Sequence, residues 1–312
     1  MNVDFVNSIS RKLAIQRSDL IEKDIILHQL LTDLSKDKFF ARNFIFKGGT
    51  CLIKCYYGYK RFSEDIDFTW KRQTAFNSKS QNQIRKDLSR IINETGSLFE
   101  KVAANRGLEF KCKKSDRNFV ELGGSNKFCT FKIWYHSEIL RRRSFVKVQI
   151  NFVEKLCYKP KKKILKSLLR KRDAELKALF PEYAEYSKPL SFAVYDVREI
   201  LSEKVRALLT RRGTKARDFL DVYLIYKNYG IKPKDVEGCI KRKISFALGM
   251  YERFRSNMNQ KLRLLNAGNL FDWGEERGLL LSEIDEDDFY RFISSFQDYL
   301  KGLVPTLVGR LQ

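Results

Sequence analysis

Residues 46–68 read FKGGTCLIKCYYGYKRFSEDIDF, and this stretch decides the fold. Phe46 closes a short apolar run that Lys47, Gly48, Gly49 and Thr50 interrupt, and the following TCLIKCYYGY has helical spacing. Two conformationally free residues therefore open a helix. Such an opening points unpaired backbone N–H groups, and the positive end of the helix dipole, at whatever lies in front; a triphosphate suits it. Ordinary turns also contain Gly-Gly, so the pair alone leaves the phosphate reading open. Asp65-Ile66-Asp67-Phe68 alternates as a strand, which sets residues 65 and 67 on one face and 66 and 68 on the other. Two carboxylates spaced by about 6–7 Å along a backbone repel unless a cation sits between them. Oxygen ligands of this kind select Mg²⁺ rather than zinc. Two exposed acids on a half-buried strand would look the same. The combination with a Gly-Gly turn in a basic chain is far more specific.

Outward from this segment, residues 18–35 carry apolar positions near the 3.6-residue period, with Ser18 as the expected N-cap. Residues 82–105 read as a second helix, and 108–112, 128–135 and 144–152 as strands, the last two alternating well. Beyond about residue 155 the pattern turns helical, with expected helices at 162–178, 196–211, 215–228, 234–265 and 285–302 and a connector from Pro181 to Pro189. The expected fold class is α+β: an α/β domain over residues 1–155 with a small mixed sheet, then a mainly helical domain over 156–312.

Composition bounds the function. Lys plus Arg is 61 against 38 for Asp plus Glu, a formal charge of +23, and nine of the basic residues fall between Lys155 and Arg172 without one acid. A field of this sign attracts polyanions at long range and gains from counterion release. Arg141, Arg142, Arg143, Lys161, Lys162, Lys163, Arg170, Lys171 and Arg172 are the expected RNA-binding residues. A solvated basic face is the plainer reading of the same run. Two histidines make Ser-His-Asp or Cys-His catalysis improbable, and six scattered cysteines without a C-x-x-C pair show no zinc-ligand spacing. No secretory signal or apolar run of about 18 residues is present, so the expectation is a cytoplasmic protein with no membrane partner. P-loop and kinase signatures are absent.

Gly-Gly-Thr followed by R-F-S-x-D-x-D, then EKVRALLTR (203–211) and KARDFLDVYLIY (215–226), resembles the AbiEii-type nucleotidyltransferases, toxins of bacterial toxin–antitoxin and abortive-infection systems within the DNA polymerase β-like superfamily. The resemblance implies a polymerase β-like nucleotidyltransferase domain and an NTP substrate. It places Gly48, Gly49 and Thr50, with Lys47 and Ser63, around the nucleotide phosphates, and Asp65 and Asp67 on the catalytic metal. It gives Lys204 to the triphosphate and Asp221 to the downstream catalytic motif, with Arg211, Arg217 and Asp218 as secondary nucleotide-site candidates. It further implies transfer to RNA, with the tRNA 3′ end suiting the basic surface, and an antitoxin encoded nearby. Competing readings are a catalytically weakened scaffold that only binds nucleic acid, and a transferase acting on a protein or small molecule.

Two features stand beside the resemblance. Lys204 lies in an apolar helical stripe and Asp221 in an apolar and aromatic run, so the two could also neutralise one another across a helix pair. Arg217 and Asp218 could be an ordinary surface pair. Polymerase-like transferases usually carry a third carboxylate on the strand facing Asp-x-Asp, whereas SFVKVQINF offers Gln149 and Asn151 there; Asp196 and Glu154 are the acids that could substitute.

Overall fold

β-Branched and aromatic residues in short alternating runs build one seven-stranded mixed sheet. Its strands are β1 (Phe44–Lys47), β2 (Asp65–Trp70), β3 (Val120–Gly123), β4 (Phe128–Ser137), β5 (Arg142–Asn151), β6 (Lys161–Leu165) and β7 (Leu190–Val194), in the order β3-β4-β5-β2-β1-β7-β6. β2 runs antiparallel to β1 and parallel to β5, and β1 runs parallel to β7. The structure, a computed structural model, describes residues 1–169 and 173–308. Arg170, Lys171 and Arg172, named above as RNA-binding residues, lie outside the described residues.

Two compact units divide the chain: Met1–Glu154 with Pro160–Val194, and Lys155–Lys159 with Tyr195–Gln312. The first holds the whole sheet together with α1 (Val3–Leu13), α2 (Ser18–Lys36), α3 (Lys38–Asn43), α4 (Gly48–Leu52), α5 (Gln81–Asn105) and α6 (Ala174–Leu179). One sheet face is apolar: Phe46, Phe68, Ile150 and Cys129 are cross-strand neighbours in one buried row. Helical rings close over it, Phe40 of α3 at 4.7 Å from Phe68 and Phe99 of α5 at 4.9 Å from Phe131. On the opposite face the same register lines up Lys47, Asp67, Gln149 and Thr130.

The second unit is helical: α7 (Val197–Thr210), α8 (Ala216–Tyr229), α9 (Glu237–Met250), α10 (Arg253–Asn266) and α11 (Glu286–Val308). α7 packs on α8, α9 and α10. Among the described residues no helix is long and apolar enough to cross a membrane.

Several expectations need correction. Residues 162–178 are not one helix: Lys161–Leu165 is a strand that pairs residue for residue with β7, and among the described residues of this stretch only those from Ala174 onward are helical. A Lys-rich strand at the sheet edge resists pairing with another chain, which is itself a reason for lysines at 161–163. Residues 108–112 make only a bridge, Glu109 to Trp134, while the strand lies at Val120–Gly123. The expected helix 234–265 breaks at Tyr251, whose backbone is extended. Ser18 begins α2 rather than capping it, with Arg17 in the cap position and no side-chain cap.

A buried polar cluster ties α2 to the turn of π-helix (Ile53–Tyr57) that continues α4. The Lys54 ammonium donates to Asp24 at 2.8 Å and also bonds the Tyr59 hydroxyl, and Tyr186 donates to the other Asp24 oxygen at 2.7 Å. A buried charge is tolerable only when paired and hydrogen-bonded in this way. His28 lies edge-on to Tyr186, with ring centroids 5.1 Å apart, and burial together with the Lys54 charge pushes its imidazole down to about 3. The unfolded chain, with an ordinary histidine near 6.5, takes up this proton first, so stability is full above about pH 6.5 and is lost as pH falls toward 3. Urea unfolding at pH 7 and pH 4 is expected to show a His28-dependent loss of about 3 kcal/mol. His28→Leu should flatten that part of the profile; an unchanged slope in the variant would contradict it.

Candidate active site

The site is built where β1 ends, α4 begins and β2 starts. Gly48 has φ +77°, a conformation that costs an L side chain roughly 1–2 kcal/mol. A Cβ at Gly48 would lie 2.2 Å from Asp67 Oδ2, so the missing side chain is what lets the carboxylate rest against the hinge. Gly49 performs the same service for another group: a Cβ there would lie 2.5 Å from Arg61 Nη2 and 3.3 Å from Ser63 Oγ. Arg61 is only 1% exposed and donates from Nη1 to the Phe62 carbonyl at 2.7 Å. The hinge is thus flanked by a carboxylate and a buried guanidinium.

Thr50 is buried, and its hydroxyl lies 2.8 Å from Ser63 Oγ and in hydrogen-bond contact with the Asp65 carbonyl. These bonds pin the start of α4 to the start of β2. Along β2, Asp65 and Asp67 are half-buried on one face while Ile66 and Phe68 are buried on the other. The Asp65 carboxylate makes no hydrogen bond or ion pair with a described residue. Two adjacent carboxylates, one of them unpartnered by protein, form a donor set that fits a hard divalent cation.

Lys47 stands opposite Asp67 in the β1–β2 register, but its ammonium is buried and lies 3.6 Å from Glu154 Oε2. Gln149 is the cross-strand neighbour of Asp67 on β5, so an amide occupies the position where a third acid would sit. Of the two substitutes considered, Glu154 belongs to this unit and is hydrogen-bonded by Asn151 Nδ2 at 3.3 Å. Asp196 caps α7, accepting from the Arg198 backbone at 3.0 Å and pairing with the Arg198 side chain.

In the second unit Lys204 is shared between Asp218 and Asp221, at 2.6 Å from each, and Arg211 reaches Asp218 at 3.0 Å. Burial pushes the Asp218 carboxyl up, but Lys204 and Arg211 outweigh it and hold the group below the usual carboxylate range. The alternative of an ordinary surface pair between Arg217 and Asp218 is not what forms. Arg217 pairs with Glu276, and Asp218 is buried, because successive helical residues point in different directions.

Among the described residues, the expected RNA-binding side chains fall into two groups. Arg141–Arg143 lie at the β4–β5 turn and Lys161–Lys163 on β6, and β2, β1 and β7 stand between β5 and β6 in the sheet. Arg141 is largely exposed, Arg143 pairs with Glu109 at 2.7 Å, and Lys163 lies over the Tyr56 ring.

Sequence reasoning missed Arg61, although it is the first residue of the R-F-S-x-D-x-D string; its burial against Gly49 is what distinguishes it. It also missed that Cys157, Glu199 and Cys239 converge, with ligand atoms within 4.8 Å of one another. Lys243 lies 2.7 Å from Glu199, and so a cation already meets that group's charge.

Gly48→Ala is expected to cut turnover by about 10²-fold, since displacing a reacting group by an ångström carries a cost of that size. Steady-state kinetics of the purified variant checks this, and wild-type turnover would show that the close approach to Asp67 is incidental.

No curated protein matches the chain. Two solved structures from Helicobacter pylori do, JHP933 and a second protein carrying a provisional nucleotidyltransferase assignment. Each is 14% identical with a TM-score of 0.42, over 94% of this chain and 96% and 99% of theirs. A family model described as the nucleotidyl transferase AbiEii toxin, type IV TA system, matches residues 29–301, which take in the hinge, β2 and the Lys204 network. The chain belongs to the AbiEii family of nucleotidyltransferase toxins of type IV toxin–antitoxin systems.

Proposed function

We propose that the enzyme moves a nucleotide from an NTP to an RNA acceptor, the 3′ end of a tRNA, in a Mg²⁺-dependent reaction. The observation that carries this reading is the contact between Gly48 and Asp67, which joins a carboxylate pair to a hinge that can face phosphates. Asp65 and Asp67 would hold the cation. When bound, Mg²⁺ supplies Lewis-acid stabilisation of charge on the α-phosphoryl group and the departing pyrophosphate. Lys47, Gly48, Gly49, Thr50 and Ser63 shape the phosphate side of the site. The backbone N–H groups at the start of α4 would meet the β and γ groups, and the Thr50–Ser63 pair keeps α4 fixed relative to β2. The acceptor hydroxyl attacks the α-phosphorus and gives up its proton to solvent water, the bond to the bridging oxygen breaks, and pyrophosphate leaves. Orientation and electrostatics supply most of the rate. Lys204, Asp221, Arg211, Arg217 and Asp218 stay in the proposal as the downstream motif, acting through the ion network of the second unit.

Gln149 opposite Asp67 favours a second reading, a weakened scaffold that binds nucleic acid without transfer. Family membership implies an antitoxin partner; abortive infection would be one setting for the pair. The test is incubation with Mg²⁺, each α-labelled NTP in turn, and total bacterial tRNA. Label on tRNA from at least one NTP supports transfer. RNA binding with no label from any of the four supports the scaffold.

A further inference from the structure

We propose that the β4–β5 arm is a stacking platform for unpaired bases next to the 3′ end of the RNA acceptor. The proposal rests on the transfer reading above and deepens it. β5 pairs with the first residue of β2 through Lys147 opposite Asp65, so residues 142–146, together with their β4 partners, run on past the start of β2. On the face that carries Asp65, the next cross-strand pair beyond Lys147 and Lys132 is Phe145 with Trp134, and the one after it is Arg143 with His136. Each such step along a strand is about 6–7 Å. The face therefore continues from the carboxylates into cations, then aromatic rings, then a further cation.

The rings are held in place. Trp134 and Phe145 have centroids 4.7 Å apart, and the indole Nε1 donates to the Asn118 carbonyl at 2.7 Å. The Arg143 guanidinium lies 4.1 Å over the indole and is fixed from its other side by Glu109 at 2.7 Å. Both aromatic faces and guanidinium planes stack on nucleobases, so the stack presents a surface for bases whether or not Arg143 moves. Lys147 and Lys132 approach the Phe145 ring at 5.6 and 5.8 Å. Lys132 pairs with Glu121, whereas Lys147 has no ion-pair partner among the described residues and is left to meet a phosphate. The other face of the arm is anchored: Glu22 of α2 accepts from Ser137 Oγ at 2.5 Å and from the Glu138 backbone at 2.9 Å. Half-buried aromatics flanked by cations, on a rigid ribbon in line with the carboxylates, fit a single strand better than a duplex, whose bases offer no free faces.

Trp70 and Trp273 are buried, so Trp134 is the tryptophan able to report contact. The experiment titrates the full chain, without NTP or metal, with an eight-nucleotide single-stranded RNA and with a blunt RNA duplex, following tryptophan emission and RNA anisotropy. The single strand is expected to quench emission and to bind more tightly than the duplex. Trp134→Ala and Phe145→Ala should each weaken it by about 5- to 150-fold. Trp134→Phe keeps a stacking ring and should keep most of the affinity while losing the quench, which guards against misfolding of the alanine variants. Equal affinity for both RNAs without a change in emission would overturn the platform, as would undiminished binding by both alanine variants. Retained tRNA labelling with no stacking sinks the platform alone; stacking with no labelling from any NTP sinks the transfer reading alone.

Discussion

Asp65→Asn lowers nucleotide transfer by on the order of 10³-fold with no loss of thermal stability, and Asp67→Asn lowers transfer as far. The size follows from the several kcal/mol that a bound divalent cation contributes to a phosphoryl transition state, at 1.36 kcal/mol per factor of ten. The unchanged stability follows from the site's construction. The Asp65 carboxylate has no protein partner among the described residues, and removing one of two neighbouring negative charges relieves repulsion. Purified variants assayed for label transfer and for melting temperature check both halves. Transfer within a few-fold of wild type would remove Asp65 and Asp67 from the catalytic role. A large fall in the melting temperature of Asp65→Asn would show that Asp65 holds the fold instead.

Lys204→Met is expected to produce the largest loss of stability, about 3–5 kcal/mol, because it leaves two buried carboxylates without their shared ammonium. The lysine side chain is only 12% exposed, so solvent cannot replace what is lost. The pH dependence gives the assignment a second handle. Asp218 is held below its usual range in the native protein, so its contribution is present at neutral pH and lost as pH falls through that lowered value. In the variant the carboxyl shifts up and protonates in mild acid, so the gap between wild type and Lys204→Met should narrow from pH 7 to pH 4. Urea unfolding at the two values measures it. A variant as stable as wild type would mean that the network is not structural.

The hinge and β2 were legible because their signals are local. The alternation of Asp65-Ile66-Asp67-Phe68 needs only the two-residue period, and the structure keeps it, with the acids half-buried and the apolar pair buried. Likewise α7 and α8 lie within a residue of the expected 196–211 and 215–228, since amphipathic spacing fixes long helices well. β6 was misread because its identity depends on β7, a strand some thirty residues away. In isolation, Ile164, Leu165, Leu168 and Leu169 among lysines mimic a helical face. The alternative that Arg217 and Asp218 form a surface pair gives way to geometry: neighbours in sequence diverge around a helix, and Asp218 finds its cations at Lys204 and Arg211. Arg61 stayed hidden because no period marks it. Only the close approach of its guanidinium to Gly49 shows why a glycine is needed there.

In the proposed site, Asp65 and Asp67 together hold a divalent cation beside the Gly48 hinge. Titration with Mn²⁺ followed by electron paramagnetic resonance tests it without turnover or RNA. The wild-type protein should show a Mn²⁺ site that is lost in Asp65→Asn and in Asp67→Asn and weakened in Gly48→Ala. Undiminished Mn²⁺ binding by both Asp variants would contradict it.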